Sequence, residues 1–179
     1  VNSPVIGLSF ITRTAPQSEE LAKRYKSVNP KGIVIAGGPH ATFTIEETLE
    51  WADYVVRYEG DETVPELMEA LKDGGSGKGV RGVSYKEDGI VKNEPARPFL
   101  TEKQLEQLPW LKFDPRLRKG VSGLVIIMSR GCPHACDFCS VAAMNGECYR
   151  RIGNELIMQR LRQLFREKSG ERIFWGDDN

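Results

Sequence analysis

Ile33-Val34-Ile35-Ala36-Gly37-Gly38-Pro39-His40 decides how the first half of this chain is read. Four consecutive apolar residues mark a strand buried on both faces, as interior strands of a parallel sheet are. Gly37-Gly38-Pro39 ends the run in a tight turn. Similar runs lie on either side. Residues 4–10, Pro-Val-Ile-Gly-Leu-Ser-Phe, end at small polar residues, and residues 53–57 form a third strand candidate. Helix-like stretches alternate with them. Residues 17–27 place Leu21, Ala22 and Tyr25 at amphipathic spacing. Thr44 reads as an N-cap, with Glu46 and Glu47 in the first turn of a short helix to Trp51. Residues 61–71 carry Asp61, Glu62 and Pro65 near their start. Three strand–helix repeats in a row imply an α/β fold with a parallel sheet covered by helices.

Further along, residues 73–79 (Asp-Gly-Gly-Ser-Gly-Lys-Gly) have the composition of a flexible linker. Residues 80–85 and 90–93, around Glu87-Asp88-Gly89, read as a small hairpin. Residues 95–115 hold four prolines and one helical stretch, 101–108, and read as a connector. A new buried strand follows at 123–129. Residues 154–168 form a helix with Leu156, Ile157, Leu161, Leu164 and Phe165 on one side, and residues 171–175 are the next strand. The expected organisation is an α/β unit over 1–73, a linker with a hairpin over 74–120, and the opening of a second α/β unit over 121–179. The chain begins at Val1 and stops at Asn179 just past a strand, so it reads as a fragment of a longer protein.

Composition bounds the function. Of 179 residues, 40% are hydrophobic and 28% charged, which is ordinary for a globular protein. The 25 basic and 25 acidic residues cancel, which argues against a general nucleic-acid or anionic-membrane binder. The longest apolar runs, 33–36 and 124–128, are too short to span a bilayer. No basic-then-apolar leader opens the chain, and a cytoplasmic location is expected. The neutrality is a sum of unlike parts. Residues 1–110 hold 13 basic and 17 acidic residues, and residues 111–179 hold 12 and 8.

The basic part surrounds the sharpest chemical signal, Ser129-Arg130-Gly131-Cys132-Pro133-His134-Ala135-Cys136-Asp137-Phe138-Cys139-Ser140. Three of the four cysteines fall in this Cys-x3-Cys-x2-Cys pattern, directly after a strand. Thiolates so close together can reach one metal centre, and thiolate is the ligand that iron–sulfur clusters and zinc select. A structural zinc site requires four protein ligands, with Cys148 or His134 as the candidate fourth. A cubane held by three cysteines leaves one iron open to a ligand. A disulfide pair is the third reading of the same residues.

Cys132, Cys136 and Cys139, with an aromatic at Phe138, resemble the signature of the radical S-adenosylmethionine (SAM) enzymes. The resemblance implies a [4Fe–4S] cluster on the three cysteines, reductive cleavage of SAM to a 5′-deoxyadenosyl radical, and a reductant such as flavodoxin or ferredoxin. It implies SAM contacts at Phe138, Ser140 and Arg150, and at Gly176-Asp177-Asp178. That last segment stands where the wider family has a Gly-Gly-Glu-like element facing the SAM amino group. The N-terminal half is similar to the cobalamin-binding domain that precedes the radical barrel in many of these enzymes. Ser9-Phe10-Ile11 resembles its Ser-x-Leu element and Gly37-Gly38 its Gly-Gly element, so Ser9, Gly37, Gly38 and Pro39 are the implied contacts to the cobalamin nucleotide tail. Residues 34–42 and 54–63 resemble the same subgroup. The histidine element that ligates cobalt in other cobalamin proteins is absent from the chain, and His40, just after Gly-Gly-Pro, reads as a turn residue.

The implied architecture is a partial Rossmann-like cobalamin-binding domain with a parallel sheet, followed by the start of a radical SAM (β/α) partial barrel. The implied activity is cobalamin-dependent methyl transfer or ring modification of a small-molecule substrate. Two other readings remain: a radical enzyme whose N-terminal domain is vestigial and binds no cobalamin, and a zinc-stabilised module without catalysis.

Overall fold

The computed structural model describes residues 3–109, 123–134, 136–167 and 172–178. The chain divides into two compact units, Val1–Phe99 and Leu100–Asn179.

In the first unit, β1 (Val5–Ser9), β2 (Ile33–Gly37) and β3 (Tyr54–Val56) lie side by side and parallel. Helices α1 (Ala15–Val28), α2 (Gly38–Phe43), α3 (Ile45–Thr48) and α4 (Gly60–Ala70) connect and follow them. Alternate residues of a strand point to opposite faces, which explains the unbroken apolar run in β2. Val34 and Ala36 join Phe10, Ala22, Tyr25 and Val55 in one core, while Ile35 joins Val56, Leu67 and Val83 in another. Helix α1 buries Ala22 and Tyr25 as expected, but Leu21 is 52% exposed and lies outside the buried stripe. Asp53 anchors the entry to β3, accepting the Val34 N–H at 2.7 Å and pairing with Lys26 at 2.7 Å.

The short helix expected after Thr44 is present as α3 but ends at Thr48, and a further helix, α2, precedes Thr44. Helix α2 begins directly at Gly38, with Pro39 in the first turn, where a missing N–H costs nothing. The Thr44 hydroxyl donates back to His40 O at 2.8 Å and so closes α2, rather than capping α3.

The hairpin expected within a linker belongs to the sheet. Strands β4 (Val83–Glu87) and β5 (Ile90–Asn93) meet at Asp88 and Gly89, both at positive φ, the geometry that suits a two-residue hairpin turn. Strand β4 pairs antiparallel with β3 in the register Val56↔Val83, Val55↔Ser84, Tyr54↔Tyr85. The result is a mixed five-stranded sheet in the order β1-β2-β3-β4-β5. A lone hairpin is marginal in water. Pairing with β3 and burial of Val83, Ser84 and Tyr85 stabilise this one.

In the second unit, β6 (Leu124–Ile126) and β9 (Ile173–Trp175) pair in parallel, with α7 (Asn154–Glu167) between them in sequence. Ile126, Met128 and Ile152 form a core with Leu100 and Leu105, against which Leu156, Ile157, Leu161 and Ile173 pack. Val125, Ile127, Phe174 and Trp175 stay exposed. Helix α5 (Glu102–Gln107) opens with a capping box between Thr101 and Gln104. The single strand expected over 123–129 is broken: after β6, Ser129–Arg130 forms a separate β7 that pairs antiparallel with β8 (Arg150–Arg151). Helix α6 (Val141–Asn145) lies between β7 and β8 in sequence. Much of the expected proline-containing connector, residues 110–122 with Pro115, lies outside the described residues. So do Ala135, residues 168–171 and Asn179, and the side chains of Leu164 and Phe165. Among the described residues no helix is long and apolar enough to cross a membrane.

Candidate functional site

Two constellations carry the residues singled out above, one in each unit. The first lies at the carboxyl ends of the parallel strands, where open α/β sheets bind ligands. The β1–β2 register sets Ser9 opposite Gly37, and the Phe10 N–H donates to Gly37 O at 3.2 Å. Gly38 has φ +89°, a conformation that side chains rarely adopt. A Cβ there would lie 2.7 Å from Phe10 O and 3.0 Å from Ser9 Oγ. Ser9, Gly37 and Gly38 are therefore packed as neighbours, and Gly38 lets the Phe10 backbone lie where a side chain would otherwise stand. The His40 Nδ1 lies 3.1 Å from Thr12 Oγ1, and its ring stands 5.8 Å from that of Phe10.

Sequence reasoning located the third strand end, residues 57–61, but not the conformation that it holds. Tyr58 follows β3 at φ +60°, an uncommon conformation for a bulky residue. Its N–H donates to Thr42 Oγ1 at 3.1 Å, and its ring meets Phe99 edge-on at 5.8 Å. Nothing in a Tyr-Glu-Gly sequence announces a left-handed tyrosine. Beside it, burial pushes the Arg57 guanidinium down from its ordinary pKa. One terminal nitrogen of Arg57 donates to Glu94 O, and its buried Nε has no partner among the described residues. Glu62 pairs with Arg97 at 3.2 Å in the first turn of α4, a structural use for that carboxylate.

The second constellation is the cysteine loop, which leaves β7 rather than β6. Gly131 turns the chain at φ +86°, and a Cβ there would come within 2.9 Å of the carbonyls of Asn145 and Gly146. The Cys132 N–H donates to Gly146 O at 3.2 Å, and the Cys139 N–H to Cys136 O at 3.0 Å. All four cysteines are free thiols. Cys132 is buried, and Cys136, Cys139 and Cys148 are exposed. Phe138 is 93% exposed. Ser140 precedes α6 and accepts the Met144 N–H at 2.9 Å through its carbonyl. The Arg150 guanidinium donates to two carbonyls, Leu100 O and Asn145 O, at 2.6 Å each.

From β9, Gly176 N–H reaches Ile126 O at 2.9 Å. Asp177 Oδ1 accepts the N–H groups of Met128 and Ser129 at 2.6 and 2.8 Å, and Asp178 Oδ2 accepts those of Gly131 and the Asn145 side chain at 3.1 and 2.8 Å. Ser129 Oγ is buried with no partner among the described residues. Among those residues no three His, Cys, Asp or Glu side chains are gathered at metal-holding separation. The donor set nevertheless suits a thiophilic centre: three free thiols stand on one loop, two of them exposed.

Residues 2–68 match the family model of the B12 binding domain. The chain is 36% identical over 182 residues to the Uncharacterized methyltransferase PH0819 of Pyrococcus horikoshii, a match covering 97% of this chain and 39% of that protein. It is 30% identical over 147 residues to the Anaerobic magnesium-protoporphyrin IX monomethyl ester cyclase of Rubrivivax gelatinosus, covering 76% of this chain and 26% of that one. Among solved structures, the cobalamin-dependent S-adenosylmethionine radical enzyme OxsB, with aqua-cobalamin and S-adenosylmethionine bound, shares the fold. The TM-score is 0.79 at 24% identity, over 98% of this chain and 25% of that one. A B12-binding module on an α/β scaffold is thus the class of protein that the first unit defines. Residues 2–68 carry a B12 binding domain, and the chain as a whole resembles the methyltransferase and the cyclase just described. It spans between a quarter and two fifths of the length of these relatives.

Proposed function

We propose that this chain carries the cobalamin-binding and cluster-binding portions of a radical SAM enzyme that transfers a methyl group to, or remodels a ring of, a small molecule. The observation that carries the reading is a three-thiol loop and a B12-binding domain on one chain. Cys132, Cys136 and Cys139 would hold a [4Fe–4S] cluster. A fourth protein ligand would close the site as zinc requires, and three leave a position for SAM. When bound, the cluster supplies the electron that cleaves SAM, and cobalamin supplies a methyl carrier. The chain's own residues bind and orient. Exposed Phe138 offers an aromatic surface for the adenine, while Ser140 and Gly176 border the loop. Arg150 braces its far end through Asn145 O. Ser9, Gly37, Gly38 and Pro39 would receive the nucleotide tail of cobalamin. A flavodoxin- or ferredoxin-like reductant is the expected electron source, and the cytoplasm the expected compartment.

Anaerobic purification followed by iron and sulfide assay, and a corrinoid absorption spectrum after supply of cobalamin, test the two halves separately. About four irons and four acid-labile sulfides per chain, a stoichiometry set by the cluster type, together with a retained corrinoid, are the expected result. Zinc without acid-labile sulfide would replace the cluster reading with the zinc module. A cluster without retained corrinoid would make the N-terminal unit vestigial.

A further inference from the structure

We infer that Asp177 and Asp178 are positioning residues for the cysteine loop, clamping both of its ends through hydrogen-bond donors. The inference rests on the reading of that loop as a cluster site. The parallel pairing of β6 with β9 continues one residue past the strand, through Gly176 N–H to Ile126 O. A Cβ at Gly176 would lie 2.7 Å from Val125 Cγ1, so the chain crosses β6 closely there. This delivers the next two side chains to the backbone that leads into the loop.

Asp177 takes two successive amides, Met128 and Ser129, on one oxygen, and its other oxygen accepts the Trp175 indole N–H. Asp178 takes the Gly131 amide, immediately before Cys132, and the Asn145 side chain, at the end of α6 beyond Cys139. One carboxylate therefore joins the two ends of the segment that carries all three thiols. Arg150 ties the same far end through Asn145 O at 2.6 Å. Bonds from amides to a carboxylate are charge-assisted and stronger than neutral ones.

A carboxylate reserved for the SAM ammonium needs its charge, whereas a clamp on N–H donors needs an acceptor. The two roles diverge in the amide variants. In Asp178→Asn, one side-chain oxygen still accepts both donors. In Asp177→Asn, the side-chain oxygen likewise still accepts the Met128 and Ser129 amides, and only the exposed Trp175 indole contact is lost. The expected order separates amide from alanine variants: Asp177→Asn and Asp178→Asn resemble the unaltered protein, while Asp177→Ala and Asp178→Ala do not.

The test has two readouts on the anaerobically purified protein. Hydrogen exchange over residues 128–131 and 145, measured without metal, reads the clamp alone. Exchange should accelerate about tenfold in the two Ala variants and stay within about twofold in the two Asn variants, for charge-assisted bonds of ordinary strength. After iron and sulfide reconstitution, cluster retention against a chelator and the paramagnetic resonance of the reduced cluster should follow the same order. Unchanged exchange in Asp178→Ala overturns the inference. So does an Asp178→Asn variant with a full cluster whose resonance no longer responds to SAM, since the charge itself would then be in use. If Asp178→Ala does not fold, Asp177→Ala decides, and unchanged exchange at Met128 and Ser129 in it overturns the inference. Absence of acid-labile sulfide from the unaltered protein would end the cluster reading, and the exchange arm would still judge the clamp.

Discussion

Gly38 shows how much a single residue can carry. Its φ of +89° and the 2.7 Å approach that a Cβ would make to Phe10 O leave no alternative side chain. Gly38→Ala should destabilise the first unit by at least about 2 kcal/mol, the sum of a left-handed penalty of about 1–2 kcal/mol and a backbone clash. Urea denaturation measures it, and a loss below about 0.5 kcal/mol would show that the strand end relaxes freely. On the cobalamin reading proposed above, corrinoid retention should fall in the same variant, because Phe10 and Ser9 would have to shift. Gly37-Gly38 and the cysteines were legible in the sequence because glycine and closely spaced thiols have few other uses. Tyr58 was not: a bulky residue at φ +60° is held by its surroundings, Thr42 and Phe99, which lie 16 and 41 positions away.

At the scale of elements, the β2 run explains itself through two cores, and α4 supplies the key side chain of one. Leu67 is fully buried among Ile35, Val56, Val80 and Val83. Leu67→Ala should cost about 2–5 kcal/mol, with the spread set by how far the cavity collapses. The urea midpoint reads it, and a shift equivalent to less than about 1 kcal/mol would mean that α4 does not depend on this contact. The three strands and the helices between them could be read because apolar runs and amphipathic spacing are local signals. The hairpin's membership of the sheet could not. Its pairing with β3 joins Tyr54 to Tyr85 across 31 positions, and local composition around 73–79 suggested a linker instead. The break between β6 and β7 was hidden for a similar reason. The apolar run 124–128 is continuous, and the separate pairing of Ser129–Arg130 with Arg150–Arg151 depends on a partner about 20 residues later. Likewise, the chemistry of Asp177 and Asp178 was noticed, but their hydrogen bonds to 128–131 were not, since they depend on the register of β6 with β9.

For the molecule as a whole, the titratable groups of the first unit set an alkaline limit. Burial pushes the Tyr54 phenol above its ordinary 10.0, and burial together with a hydrogen bond to Glu94 does the same for Tyr85. A phenol whose folded pKa is raised binds its proton more firmly in the folded state. Its contribution is therefore complete below the unfolded value of about 10 and declines as pH rises through the folded one. Urea midpoints should hold steady up to about pH 10 and then fall, and Tyr85→Phe should flatten the fall. A decline of equal slope in that variant would place the alkaline weakness elsewhere.

The reach of the Asp177 and Asp178 contacts also has a consequence for biosynthesis. Apart from the neighbouring Trp175, their partners lie 47 to 49 positions earlier in the chain, or 33 earlier for Asn145. A ribosome therefore releases the three cysteines well before it releases the residues that tether them. During that interval the thiols sit on a segment held by Arg150 and the Cys132–Gly146 bond but without its carboxylate tether. On the cluster reading proposed above, stable insertion of the centre would follow emergence of the second parallel strand.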